Sequence, residues 1–330
     1  MTRRAGVRIE LNVERPTVHL REFQPELLDE QAIGETMRLP ADTVARIEAS
    51  AAGYPKDLYK DFQLTYNDAL MVRESTLKLL KIADAVNMEA SAHMRLLLTI
   101  TWVNGSTAYA PMENTEPLVY AQPALTTQVL HRFKQMNTGR IDEILLAKDY
   151  DFGAVKLTTK DSLAQLIDAG IANEALGAAV WRALLDELAN NPSVPSVLVA
   201  VDQVNALYTK ADYHHANGEA LMPHELHLAK PLLDLLNGSR VLQRGLVVGA
   251  MSLRDVRYGR ATPTEKSSTS NQLHHFPIEA FSSTEVLAML DYYYRAQVVF
   301  EEPTSSMAIT KYTVTQGNAR ELLHSCLNLL

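Results

Sequence analysis

The chain has 330 residues, 47% of them hydrophobic and 21% charged, with a formal net charge of −8 and one cysteine, Cys326. That is apolar material for one large domain or two ordinary ones, and it excludes a disordered tail, an intramolecular disulfide framework and a CxxC metal site. The acidic balance argues against a large nucleic-acid footprint, because phosphate contacts need Lys and Arg, and leaves room only for a local basic patch.

No apolar run reaches the roughly 18–20 residues of a membrane span. The first 22 residues contain no apolar core of a secretory signal. Arg3, Arg4, Arg8, Arg15 and Arg21 are diluted there by Glu10, Glu14 and Glu22, whereas a transit peptide is poor in acids. The compartment is therefore left open by composition.

Residues 1–40 have mixed charge, Pro16, Pro25 and Pro40, and no sustained period, which predicts an extended arm with a short helix near Pro25–Ile33. A short helix is expected over Asp42–Ala52, ended by Gly53-Tyr54-Pro55. Another is expected over Asn67–Ala83, capped at Asn67 or Ser75. Met88–Leu98 reads as a helix, and Leu96–Val103 as strand-like up to the Asn104-Gly105 turn. Residues 106–123 are irregular, and Ala124–Met136 is helical. Asp161–Ala189 is a long helical region with possible interruptions at Gly170 and Gly177.

Val197–Asp202, VLVAVD, is five apolar residues and an acid, preceded by Asn190, Asn191, Pro192, Ser193 and Pro195. Such a run is a strand buried on both faces, usually central in a parallel sheet. Asp202 stands at its C-terminal end, where open α/β sheets place their ligand crevice. Two readings stand: a helix-capping Asp, or an acid that holds Mg²⁺ as in P-loop nucleotide-binding proteins.

Further on, His214, His215, His224 and His227 invite a metal reading. It fails on chemistry, because adjacent His214 and His215 point apart and no Cys or carboxylate completes a zinc-like spacing. Pro223–Leu236 is read as a helix, and Arg244–Ser252 as a second buried strand ending in Ser252. Two short apolar strands separated by helix predict a parallel α/β sheet. Arg254, Arg257, Arg260 and Lys266 form the best local basic patch, in a loop that is either a solvated surface or a phosphate or RNA contact. Phe276–Phe281 is expected as an edge strand, Ser282 or Ser283 as the cap of the next helix, and Gly317-Asn318 as the start of a last helix, Ala319–Leu330.

The catalytic constellations are missing from the sequence. A phosphate cradle of the GxxxxGK[ST] kind needs backbone N–H groups and a Lys around the β- and γ-phosphates. No Gly is followed by Lys here, and no Gly lies between Asp57 and Thr101. There is likewise no GxSxG, no HExxH and no Rossmann glycine pattern.

Several separated segments resemble the death-associated protein 3 family, GTP-binding proteins of the mitochondrial small ribosomal subunit, most of all its fungal branch. They are Ala69–Leu80 (ALMVRESTLKLL), Thr101–Pro123 (TWVNGSTAYAPMENTEPLVYAQP), Val197–Leu207 (VLVAVDQVNAL), Leu246–Ser252 (LVVGAMS) and Phe276–Phe300 with its Ser-Ser-Thr-Glu cap and Tyr-Tyr-Tyr. The resemblance implies an α/β P-loop fold of the AAA-like branch, a parallel sheet flanked by helices. It divides the chain into an arm and docking segment (1–66), a degenerate core (67–272) and a C-terminal strand-helix lid region (273–330). It also implies the mitochondrial matrix, a monomer within the ribosome, and small-subunit rRNA and neighbouring ribosomal proteins as partners.

By the same resemblance Asp202 matches the Mg²⁺-side acid and Ser252 the polar residue ending the neighbouring strand, with GTP or GDP and Mg²⁺ as the family's ligands. The departure is large. The family's glycine-rich Lys-Ser loop and the strand before it are not found here, where Ala83-Asp84-Ala85-Val86-Asn87 runs directly into Met88. The expected function is therefore that of a structural ribosomal component with weakened or lost GTP binding and no enzymatic turnover. The alternative is an active AAA-like or signal-transducing NTPase switch that uses Asp202. Loss of the sheet's first strand is expected to leave an open edge beside Val197–Val201.

Overall fold

The computed structural model describes residues 18–49, 56–87, 95–100, 110–111, 119–251 and 276–327. In chain order it contains β1 (Thr36–Arg38), α1 (Ala41–Ala49), α2 (Lys56–Thr65), β2 (Ala69–Met71), α3 (Glu74–Asn87), β3 (Arg95–Ile100), β4 (Ala110–Pro111), β5 (Tyr120–Ala121) and α4 (Pro123–Met136). These are followed by β6 (Tyr150–Asp151), β7 (Lys156–Leu157), α5 (Leu163–Ala172), α6 (Gly177–Asn190), β8 (Ser196–Val201), α7 (Lys230–Leu236), β9 (Gly245–Gly249), α8 (Ser283–Arg295), α9 (Ser305–Thr315) and α10 (Ala319–Leu327). Contacts divide the chain into two compact units, one drawn from 1–45, 54–80 and 277–330, the other from 46–53 and 81–276. Helix and sheet are mixed in both.

The second unit is built on a three-stranded parallel sheet in the order β3-β8-β9. β8 is central, and Val197, Val199 and Val201 are buried, as a branched apolar run in a doubly covered strand should be. Gly245 opens β9 because nothing larger fits: a Cβ there would stand 2.4 Å from the Val197 carbonyl oxygen across the ladder. α4, α5 and α6 pack together over a core of Leu130, Phe133, Leu166, Trp181 and Leu184. The long helical region does break, but at Asn173, whose side chain accepts the Ala175 N–H of a short 3-10 turn before α6.

The strand β8 does not border a gap. Both its edges are paired, with β3 on one side and β9 on the other. Among the described residues the unpaired edges belong to β3 and β9. The expectation placed an edge there because it took a neighbouring strand to be lost, whereas residues 95–100 fill that position.

In the first unit, residues 18–40 are not an extended arm. Two 3-10 turns, Pro25–Leu27 and Glu30–Ala32, lead into β1, which pairs antiparallel with β2. Val18, Ala32 and Met37 are buried. Ala69–Met71 is accordingly strand rather than the first turn of a helix, and α3 begins only at Glu74, after Thr76 Oγ1 accepts the Arg73 N–H at 3.2 Å. α8, α9 and α10 close over Val286, Leu290, Tyr292, Leu322 and Cys326.

Other local expectations give way to tertiary partners. Residues 95–98 are strand, not helix, because they pair with Ser196–Val199. Pro223–Glu225 is a 3-10 turn and α7 starts at Lys230; between them the His227 N–H is held by the Tyr120 carbonyl. Phe276–Phe281 forms no strand. The Phe281 N–H goes to the Gly317 carbonyl, and Arg73 takes the carbonyls of Glu279 and Ala280. Residues 305–315 form α9, capped by Thr304, whose side chain accepts the Met307 N–H. The Ser282 cap is present as a full capping box with Glu285. Ser252, the Arg254–Lys266 cluster, residues 1–17, residues 88–94 and most of Thr101–Pro123 lie outside the described residues.

Candidate functional site

The parallel register makes the C-terminal ends of the three strands level, Ile100 beside Val201 beside Gly249. Asp202 is the first residue out of β8 and is exposed. Gln203 follows in a left-handed conformation, φ 52° and ψ 47°, and its N–H donates to Asp202 Oδ1 at 2.9 Å. The turn is then tied to the end of β9. Ala250 N–H donates to the Val201 carbonyl at 2.8 Å, and Val204 N–H to the Ala250 carbonyl at 2.9 Å. Gly249 is required there, since a Cβ would come within 2.6 Å of Val204 Cγ2. The sheet therefore delivers one exposed carboxylate to a rigid edge.

That carboxylate is one hard oxygen ligand, and a Mg²⁺–nucleotide needs several groups more. Among the described residues no cluster of three or more His, Cys, Asp or Glu could hold a metal ion. The nearest thing to a strand-turn-helix cradle is β2–α3. Its strand pairs with β1 and not with the parallel sheet, and its turn is Val72-Arg73, with no glycine to free backbone N–H groups for phosphate. The described donor set does not fit a nucleotide.

Two histidines of the 214–227 stretch are held by other chemistry. The Gln122 N–H donates to His227 Nδ1 at 3.1 Å, which leaves the proton on Nε2 to face Thr126 Oγ1 at 2.7 Å; that hydroxyl donates in turn to the Gln122 carbonyl at 2.7 Å. Burial, together with the nearby Arg182 charge, lowers His227 to about 4, against a smaller opposing pull from the Tyr120 carbonyl. His227 is thus a neutral strut. His215 sits between the Tyr120 hydroxyl (3.1 Å from Nδ1) and Glu225 (3.0 Å from Nε2), and Glu225 also accepts the Met222 N–H at 2.7 Å. The chain Tyr120–His215–Glu225 pins the 211–221 hairpin to β5.

Two further polar sites were not legible in the sequence. Glu187, almost fully buried, accepts from the Tyr150 hydroxyl (2.7 Å), the Ala147 N–H (3.0 Å) and Asn191 Nδ2 (2.6 Å). Burial and this carboxylate push the Tyr150 phenol up. In the first unit, Arg73 Nε bonds Glu285 Oε1 at 3.0 Å and its guanidinium lies 4.7 Å over the Phe281 ring. Burial raises Glu285, but Arg73 and the Ser282 N–H outweigh it and hold the carboxyl below its usual value. The LMVR segment and the Ser-Ser-Thr-Glu cap, 212 residues apart, meet at this pair.

Residues 99–325 match the family model described as mitochondrial ribosomal death-associated protein 3. The match spans well over half of the chain. The protein belongs to this family.

Membership in the death-associated protein 3 family makes it a mitochondrial ribosomal protein of the small subunit and places it in the mitochondrial matrix. Four of the five resembling segments fall wholly or almost wholly inside the match; Ala69–Leu80 precedes it. No curated protein matches the chain. No helix among the described residues is long and apolar enough to cross a membrane.

Proposed function

We propose that this death-associated protein 3 family member is a structural component of the mitochondrial small subunit, supporting translation through rRNA and protein contacts, with GTP binding weakened or lost and no turnover. The family match carries the reading. Its nucleotide half is supported by the sequence, which has no Gly-Lys pair anywhere and no Gly from 57 to 101, where a phosphate cradle depends on both. Asp202 then marks the ligand edge of an AAA-like P-loop sheet that lacks its phosphate-binding half. Arg254, Arg257, Arg260 and Lys266 are the candidate rRNA contacts, because counterion release needs clustered cations and these form the best local basic patch of an acidic chain.

The test has two arms. The protein expressed in its organism should cosediment with the small mitochondrial subunit, and replacing the four cations by Glu should weaken that association and make its salt dependence shallower. Titration of the purified chain with GTP or ATP and Mg²⁺ should show no saturable binding in the micromolar range, and Asp202→Ala should cosediment as the parent does. Micromolar nucleotide affinity abolished by Asp202→Ala would instead establish the second reading, an NTPase switch, which the exposed acid at the sheet edge favours. Failure to cosediment would overturn the first.

A further inference from the structure

Exposed apolar residues are shared unevenly between the two units. Of fifteen large hydrophobic side chains exposed among the described residues, Ile82, Leu145, Val241 and Met251 belong to the second unit and the other eleven to the first. Three of the eleven lie on α9: Ile309 at 58%, Tyr312 at 38% and Val314 at 74% exposure.

At 100° per residue, the buried Ala308 and Thr315 mark one side of α9. The remaining arc of roughly 200° runs through Ser306, Ile309, Thr310, Tyr312, Thr313 and Val314 and carries no charge. A solvated helix puts charged residues opposite its core face, and this one puts none there. The threonines add to this. Thr310 Oγ1 donates to the Ser306 carbonyl at 2.9 Å and Thr313 Oγ1 to the Ile309 carbonyl at 2.8 Å, so both hydroxyl protons are turned onto the helix's own backbone. Lys311, the one cation of α9, is half-buried with Nζ on the Ser325 carbonyl at 2.6 Å.

RNA is a poor occupant of such a face, which offers no cation and is flanked by the exposed carboxylates of Glu301 and Glu302. A second copy of the chain is also a poor one. Eleven residues span about 16 Å, and a strip one helix wide falls well short of the roughly 800 Å² per partner that holds two free molecules together. A strip of this size suffices where the partner is already held alongside, as in a multi-protein particle.

We propose that the outward face of α9 is the docking strip for a neighbouring protein of the mitochondrial small subunit, which lays an apolar helix face across it. The exposed Glu301 and Glu302, just before the Thr304 cap, match a partner segment with Lys or Arg at that end. The proposal rests on residence in the ribosomal particle and adds which surface is used and what chemistry meets it.

The test uses full-length chains carrying Ile309→Cys or Val314→Cys, labelled with a hydrophilic maleimide both free and after incorporation into small subunits; the native Cys326 is buried. Labelling at both positions is expected to slow about tenfold or more in the particle, as for groups at the water-excluded centre of an interface. A photo-crosslinker at 309 is expected to capture a ribosomal protein, identified by mass spectrometry. Equal labelling rates in particle and free chain, or crosslinks to rRNA or to a second copy of this chain, overturn the proposal while leaving ribosomal residence intact. A chain that never cosediments overturns both.

Discussion

His227 shows how much a single side chain depends on its surroundings. In the sequence it is one of four histidines in fourteen residues; in the fold burial keeps the ring neutral, with a backbone N–H pointing at its Nδ1. Its folded value lies near 4, below the unfolded 6.5, so the unfolded state binds the extra proton between those limits. The stabilisation is complete above pH 6.5 and is lost as pH falls toward 4, by roughly 3 kcal/mol at most. Thermal unfolding followed from pH 7 to pH 4 should show this slope, and His227→Gln should flatten it. Arg73 gives a second case. Glu285 titrates below its usual value, so its contribution is present above about pH 4.5 and fades below it. Arg73→Ala strips a mostly buried carboxylate of its guanidinium partner and leaves it the Ser282 N–H, and should lower stability by about 1–3 kcal/mol, measured by denaturant unfolding. Neither partner signals the other in sequence, because 212 residues separate them.

At the scale of elements, the parallel sheet is the part the residues state most clearly. VLVAVD and the strand from 245 have the continuous branched-apolar pattern of doubly covered strands, and both formed; β8 is buried as expected, whereas β9, at the sheet's edge, is only half-buried rather than the second buried strand its pattern suggests. The short elements behave differently. Ala69–Met71 is as compatible with helix as with strand by pattern alone, and pairing with Thr36–Arg38 decides it. Gly245→Ala should test how tightly the sheet is drawn, since the new Cβ would collide with the Val197 carbonyl in the adjacent strand. The ladder would have to part, and a loss of about 1–3 kcal/mol is expected, with faster amide exchange at 197–199. Ser282→Ala should cost α8 about 1 kcal/mol through its capping box; a calorimetric scan of the variant would check it.

For the whole molecule, the important fact is that the first unit is assembled from three separated stretches while the second is nearly continuous. The buried Tyr293 hydroxyl donates to Asp61 at 3.2 Å, and Phe281 and Val286 share a core with Ala69. A chain ending at 276 should therefore lose amide protection at 36–38 and 69–72, while 163–190 and 196–201 keep theirs; hydrogen exchange would read both directly. Retained protection in the first set would mean that β1 and β2 stand without α8. The sequence by itself determined the family, the two apolar strands of the sheet and the position of Asp202 at the end of one of them. These depend on local pattern and on segments that keep their order along the chain. Only the tertiary structure decided that both edges of β8 are paired, that residues 18–40 are packed, that His227 is neutral, and that α9 exists with an uncovered face. Each of those depends on a partner far away in sequence, and periodicity carries no information about distant partners.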